Sequence, residues 1–98
     1  MTYIVRFRPE AEEDTENAAR WYEEQKEGLG HRFLDQILET IQVITDQPAL
    51  FPIVHRRIHR ALIHKFPFGI YYRIEKDTIV VVAVMHGHRN PRQWQSRR

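Results

Sequence analysis

Ile79 to Met85 is an unbroken run of apolar residues, four of them valine. A surface helix would need a polar face, and a half-exposed strand would alternate. A continuous β-branched run of this length predicts a central strand buried on both faces. The run ends abruptly at His86-Gly87-His88-Arg89-Asn90-Pro91.

The segments upstream supply what such a strand needs. Ile70-Tyr71-Tyr72-Arg73-Ile74-Glu75 alternates: Ile70, Tyr72 and Ile74 point one way, and Tyr71, Arg73 and Glu75 the other. Lys76-Asp77 makes a tight turn between these two strands, and Pro67-Phe68-Gly69 turns the chain before them. Arg60 to Phe66 reads as a third strand, and Thr2 to Phe7 as a short first strand rich in β-branched and aromatic residues. Pro9 suits the first position of a helix, and Glu10, Glu12, Glu13 and Asp14 crowd its positive end. Ala11, Thr15, Ala18, Tyr22 and Gln25 form its narrow stripe, flanked by Ala19 and Trp21. Gly28 is expected to end this helix and Gly30 to cap the next, with Leu29 stapled against Leu34. The second helix, from about His31 to Gln47, carries a buried stripe of Phe33, Leu34, Ile37, Ile41 and Ile44, with Leu38 on its shoulder. Pro48 and Pro52 bracket the loop that follows. The expected architecture is α+β, in the order β-α-α-β-β-β. An antiparallel helical hairpin packs on one face of a small, mainly antiparallel sheet.

At 98 residues and 42% apolar, the chain is expected to be one globular domain spanning 1–98. No run approaches the length of a membrane span, the N-terminus has no long apolar signal region, and there is no cysteine. A reducing cytoplasm fits, and no membrane association is expected. The net charge of +2 conceals a polarity. Residues 1–49 carry five Lys/Arg and eleven Asp/Glu, and residues 50–98 carry ten and two, so the halves stand at −6 and +8. Either the two faces attract each other and help the fold close, or the second half meets a polyanion or an acidic partner.

Candidate chemistry lies in that second half. Arg56, Arg57, Arg60, Lys65, Arg73, Arg89, Arg92, Arg97 and Arg98 form a basic set suited to phosphate contact. Tyr71 and Trp94 are aromatics that stack on bases if exposed; the plainer role for Trp94 is to anchor the C-terminal tail on the core. His86 and His88 flank Gly87 at the end of the central strand, where a ring can transfer protons in a cleft or simply hydrogen-bond at the sheet edge. Strand alternation and strand ends place Arg73 and His86 near one open cleft, although Glu75 beside Arg73 offers a plain ion pair. A metal site joining His86 and His88 to His55, His59 or His64 would lack carboxylates and cysteines at ligand spacing. There is no phosphate-binding glycine loop and no nucleophile elbow, which sets aside nucleotide and serine hydrolases.

Several blocks together resemble the RelE/ParE toxin superfamily of type II toxin–antitoxin modules, which includes many plasmid stabilisation proteins. They are Trp21-Tyr22-Glu23-Glu24-Gln25, Gly28-Leu29-Gly30 with Phe33-Leu34, Pro48 and Pro52, Phe66-Pro67-Phe68-Gly69 with Tyr71-Tyr72-Arg73, and His86 to Pro91. The resemblance implies a helical hairpin on a small antiparallel sheet, no cofactor, and a hetero-oligomer with a cognate antitoxin bearing an acidic binding segment. RelE-like members cut mRNA on the ribosome without metal; ParE-like members inhibit DNA gyrase. Phe68-Gly69 stands where the RelE-like branch places an arginine, and no tyrosine follows Met85, so the ParE-like branch is favoured. On that reading Arg57, Arg60, Lys65, Arg89 and Trp94 meet the target or nucleic acid. The alternative is a metal-independent endoribonuclease with His86, Arg73 and His88 as catalytic groups. A third reading is an antitoxin-binding protein without toxicity.

Overall fold

The computed structural model describes residues 2–87 and 91–97, with elements in the order β1 Ile4–Phe7, α1 Pro9–Gln25, α2 Leu29–Asp46, β2 Ile53–His55, β3 Ile58–Leu62, β4 Phe68–Glu75, β5 Thr78–His86 and α3 Arg92–Gln95. The strands form one sheet in the order β1-β5-β4-β3-β2. β5, the apolar run, lies between β1 and β4, parallel to the first and antiparallel to the second. Its residues Ile79 to Met85 are all buried.

The two faces of the sheet have different covers. On the inner face the α1–α2 hairpin packs against Ala61, Ile70, Tyr72, Ile79, Val81 and Val84. Phe33 of α2 lies 5.3 Å from Phe66 and 5.1 Å from Phe68 between ring centroids, and Tyr22 of α1 joins the cluster at 4.9 Å from Phe66. Aromatic edges and faces therefore weld the hairpin to the start of β4. On the outer face Trp94 of α3 closes a smaller cluster with Tyr71, Val80, Val82, Ala83 and Met85. This second cover is why β5 can be apolar throughout.

A bulge in β5 sets which residue faces which layer. Tyr71 pairs with Ala83 but Tyr72 pairs with Val81, so Val82 is an extra residue on β5. Val82 and Ala83 both join the outer cluster, and Val84 returns to the inner one. An inserted residue inverts the alternation of everything beyond it.

Three local features differ from the sequence reading. Gly28 takes the capping position expected of Gly30: α1 ends at Gln25, and Gly28, with φ 86°, directly precedes α2. Leu29 is then the first helical residue, and Gly30 lies buried inside the helix. The Glu23 carboxylate accepts the Gly28 N–H at 2.8 Å and the Gly30 N–H at 3.0 Å, satisfying two of the free donors at the start of α2. The second difference is on α2, where Leu34 and Leu38 are exposed rather than packed. The third is an additional strand, β2. It joins β3 through the two-residue turn Arg56-Arg57, in which Arg56 adopts φ 52°. That conformation ordinarily selects Gly or Asn, so the turn carries no sequence signal. β3 correspondingly starts at Ile58 and leaves the sheet after Leu62.

A Cβ on Gly30 would lie 2.4 Å from the Ala19 carbonyl oxygen and 3.0 Å from Glu23 Oε1. Gly30→Ala is therefore expected to destabilise the protein by about 1–3 kcal/mol despite the better helix propensity of alanine, read as a lower urea midpoint.

Tyr72 is fully buried and donates its hydroxyl to the Pro48 carbonyl at 2.6 Å, tying the loop after α2 to the sheet. Burial pushes its pKa up from 10.0 to about 12. The unfolded chain thus releases this proton first. The contribution is complete below pH 10 and is lost as pH rises towards 12. Urea midpoints should fall over that window in the wild type. In Tyr72→Phe, which sacrifices about 1 kcal/mol at neutral pH, they should fall less steeply.

Candidate functional site

The bulge separates Arg73 from His86. Arg73 lies opposite Val80 on β4, on the outer face with Tyr71. His86 lies opposite Phe68 at the far end of the ladder, its ring 5.8 Å from Phe68 on the inner side. Had β5 alternated without interruption, His86 would share the face of Val80 and Val82, as the sequence reading expects. Instead the two residues occupy opposite faces, roughly 20 Å apart along the strand. They do not form one acid–base and phosphate-binding centre. His88 and Arg89 lie outside the described residues.

His86 and Arg73 line separate concavities. The first, of about 590 Å³, lies between α1 and the ends of β4 and β5. Trp21, Tyr22, Pro67, Phe68, Met85 and His86 give it an aromatic and apolar wall, and Asp14 and Asn17 a polar rim. Trp21 is 56% exposed although its ring meets Tyr22 edge-on. Burial raises the Tyr22 pKa above its ordinary value. The second, of about 690 Å³, lies on the outer face between the β2–β3 turn, the end of β4 and the C-terminal segment. His55, Arg56, Arg57, Arg73, Glu75 and Arg97 surround it.

The remaining sequence candidates are scattered. Arg57 sits in the β2–β3 turn beside Arg56. Arg60 lies on the outer face opposite Tyr71, its stem occupying the space that Gly69 leaves, with a buried Nε that has no hydrogen-bond partner among the described residues. Lys65, at φ 69°, belongs to a different surface, near Arg32 and Phe66 beside α2. Trp94 is buried and stacks on Tyr71 with centroids 4.5 Å apart, so neither ring offers an open face to a base. Among the described residues, no three His, Cys, Asp or Glu side chains gather as a metal site, and His59 instead stacks on Tyr72 and bonds the Phe51 carbonyl at 2.7 Å. No helix among the described residues is long and apolar enough to cross a membrane.

One pair escaped the sequence reading altogether. β1 covers β5 only from Thr78 to Val81. Beyond that point Asp14 of α1 accepts the Val84 N–H at 3.1 Å, while Arg97 donates to the Val82 carbonyl at 3.2 Å. The two side chains are themselves paired. They take the place of a neighbouring strand, across 83 residues of sequence that no local pattern spans.

A sequence-family profile for the ParE toxin of type II toxin-antitoxin system, parDE, matches residues 5–91, a span that takes in the helical hairpin and strands β2 to β5. The chain belongs to the ParE toxin family. The toxin is also similar in fold to a chain of a chromosomal ParDE toxin–antitoxin system from P. aeruginosa. The TM-score is 0.75 at 13% sequence identity, over 87% of this chain and 96% of that one. A search of curated proteins found no match. The type II toxin assignment thus rests on the family profile, and the structural likeness supports the fold.

Asp14→Ala removes the acceptor of the Val84 amide and strands the Arg97 charge. A loss of about 3 kcal/mol is expected, with faster hydrogen exchange at the Val84 amide than at Val81.

Proposed function

We propose that this toxin arrests growth by binding a macromolecular target, with DNA gyrase as that target, and that a cognate antitoxin neutralises it. The observation that carries the reading is the ParE family match across residues 5–91. The geometry agrees with a binder rather than a nuclease. Arg73 and His86, the pair that would supply phosphate stabilisation and proton transfer, lie on opposite faces of the sheet. An antitoxin partner is in keeping with the ParDE system that the fold resembles. The helical hairpin also keeps Trp21, Leu34 and Leu38 exposed, an apolar surface that an amphipathic antitoxin segment would cover. The cleft beside Trp21 and His86 is then the natural place for a partner's apolar side chain.

The test compares gyrase supercoiling with translation of a defined message, using wild-type toxin and His86→Ala in each. Inhibited supercoiling with intact mRNA is expected, with at most a graded loss in His86→Ala. Addition of the antitoxin should restore supercoiling. Specific mRNA cleavage that disappears in His86→Ala, a proton-transfer loss of about 10²–10⁴ in rate, would refute the binder reading.

A further inference from the structure

We propose that the outer-face groove is a phosphate-binding site for the backbone of duplex nucleic acid, independent of the gyrase reading. Arg56 and Arg57 occupy the two-residue turn between β2 and β3 and are exposed. Neither side chain has a hydrogen-bond or ion-pair partner among the described residues. Two adjacent arginines are a poor choice for such a turn. The first of them adopts φ 52°, where glycine would be unstrained. A side chain kept at a strained position is best explained by what the side chain does.

The rest of the groove is prepared for an anion. Arg73 uses Nε to donate to Glu75 at 2.9 Å, which leaves its terminal nitrogens available while holding the guanidinium in place. Arg97 is fixed by Asp14 on the far wall. Glu75 and Asp14 each answer one arginine, so Arg56 and Arg57 are surplus positive charge, with His55 beside them. The lining also selects among polyanions. Ile58 is the one apolar residue in the wall, and the residues around it are charged or polar. Tyr71 and Trp94 are stacked on each other and buried, which denies a single strand its base-stacking platform. What remains is charge and forked N–H donors, the chemistry of backbone contact without base readout.

The experiment is fluorescence anisotropy of the full-length toxin with a short labelled DNA duplex of arbitrary sequence, across a salt series. It uses wild type, the double variant Arg56→Gln/Arg57→Gln, and Arg56→Gly. Wild type should bind at low salt. The double variant should bind at least about tenfold more weakly, with a log–log salt slope shallower by about one unit per lost phosphate contact. Arg56→Gly relieves the backbone strain, so it should weaken binding while its thermal midpoint stays at or above that of wild type. No binding by wild type, or unchanged affinity and slope in the double variant, would overturn the proposal. So would tighter binding of a single strand, or of polyglutamate, that is lost in the same variants. Because gyrase is absent, these outcomes are separate from those of the supercoiling assay.

Discussion

The extra residue in β5 governs the layout of both surfaces. Val82 and Ala83 share the outer face, so Trp94 and Tyr71 have a continuous apolar floor to pack on. Val84 returns to the helical side, where its amide meets Asp14. His86 follows it to the inner face, next to Phe68 and the cleft along α1. Without the bulge, the same residues would put an imidazole on the face that carries Arg73. A single unpaired residue thus divides the chemistry of the molecule into an aromatic inner side and a cationic outer side.

How much of this was legible depends on the length scale of each feature. The apolar run read as a central strand because no other element tolerates seven such residues in a small protein. The alternation of Ile70 to Glu75 and the helical stripe around Phe33, Ile37 and Ile44 read correctly because each repeats at the period of its element. The bulge was invisible because Val82 and Ala83 are both apolar, so a shift of face leaves no trace in the pattern. The β2–β3 turn was invisible because its residues are arginines. Leu34 and Leu38 fit the helical period as well as their buried neighbours do, and only the limited width of the hairpin's contact with the sheet leaves them outside it. For the candidate site, the residue types were evident and their grouping was not. Arg57 and Arg73 lie along the same groove, whereas Arg60, Lys65 and Trp94 each belong elsewhere.

The charge polarity of the sequence also resolves into specific contacts rather than a general attraction of halves. Asp14 from the acidic half and Arg97 from the basic half meet at the edge of β5. Most other charges stay with their own surface. The acidic first turn of α1 serves its helix terminus, and the arginines of the β2–β3 turn collect on the outer face. The Asp14–Arg97 pair therefore stitches the two halves at the edge of β5, while the first turn of α1 and the β2–β3 turn present different electrostatic faces.

The parallel pairing of β1 with β5 has a bearing on how the chain is made. β1 is made before the helical hairpin, and its neighbour in the sheet, β5, follows the other described strands. The α1–α2 hairpin can close early, since Glu23 reaches Gly28 and Gly30 over a few residues. β1 must wait, because Ile4 to Phe7 have no partner until Thr78 to Val81 emerge, and Arg97 can close the edge only after that. A growing chain therefore holds a formed helical hairpin without its floor, and the working surfaces on both sides of the sheet come into being together, only once β5 has been made.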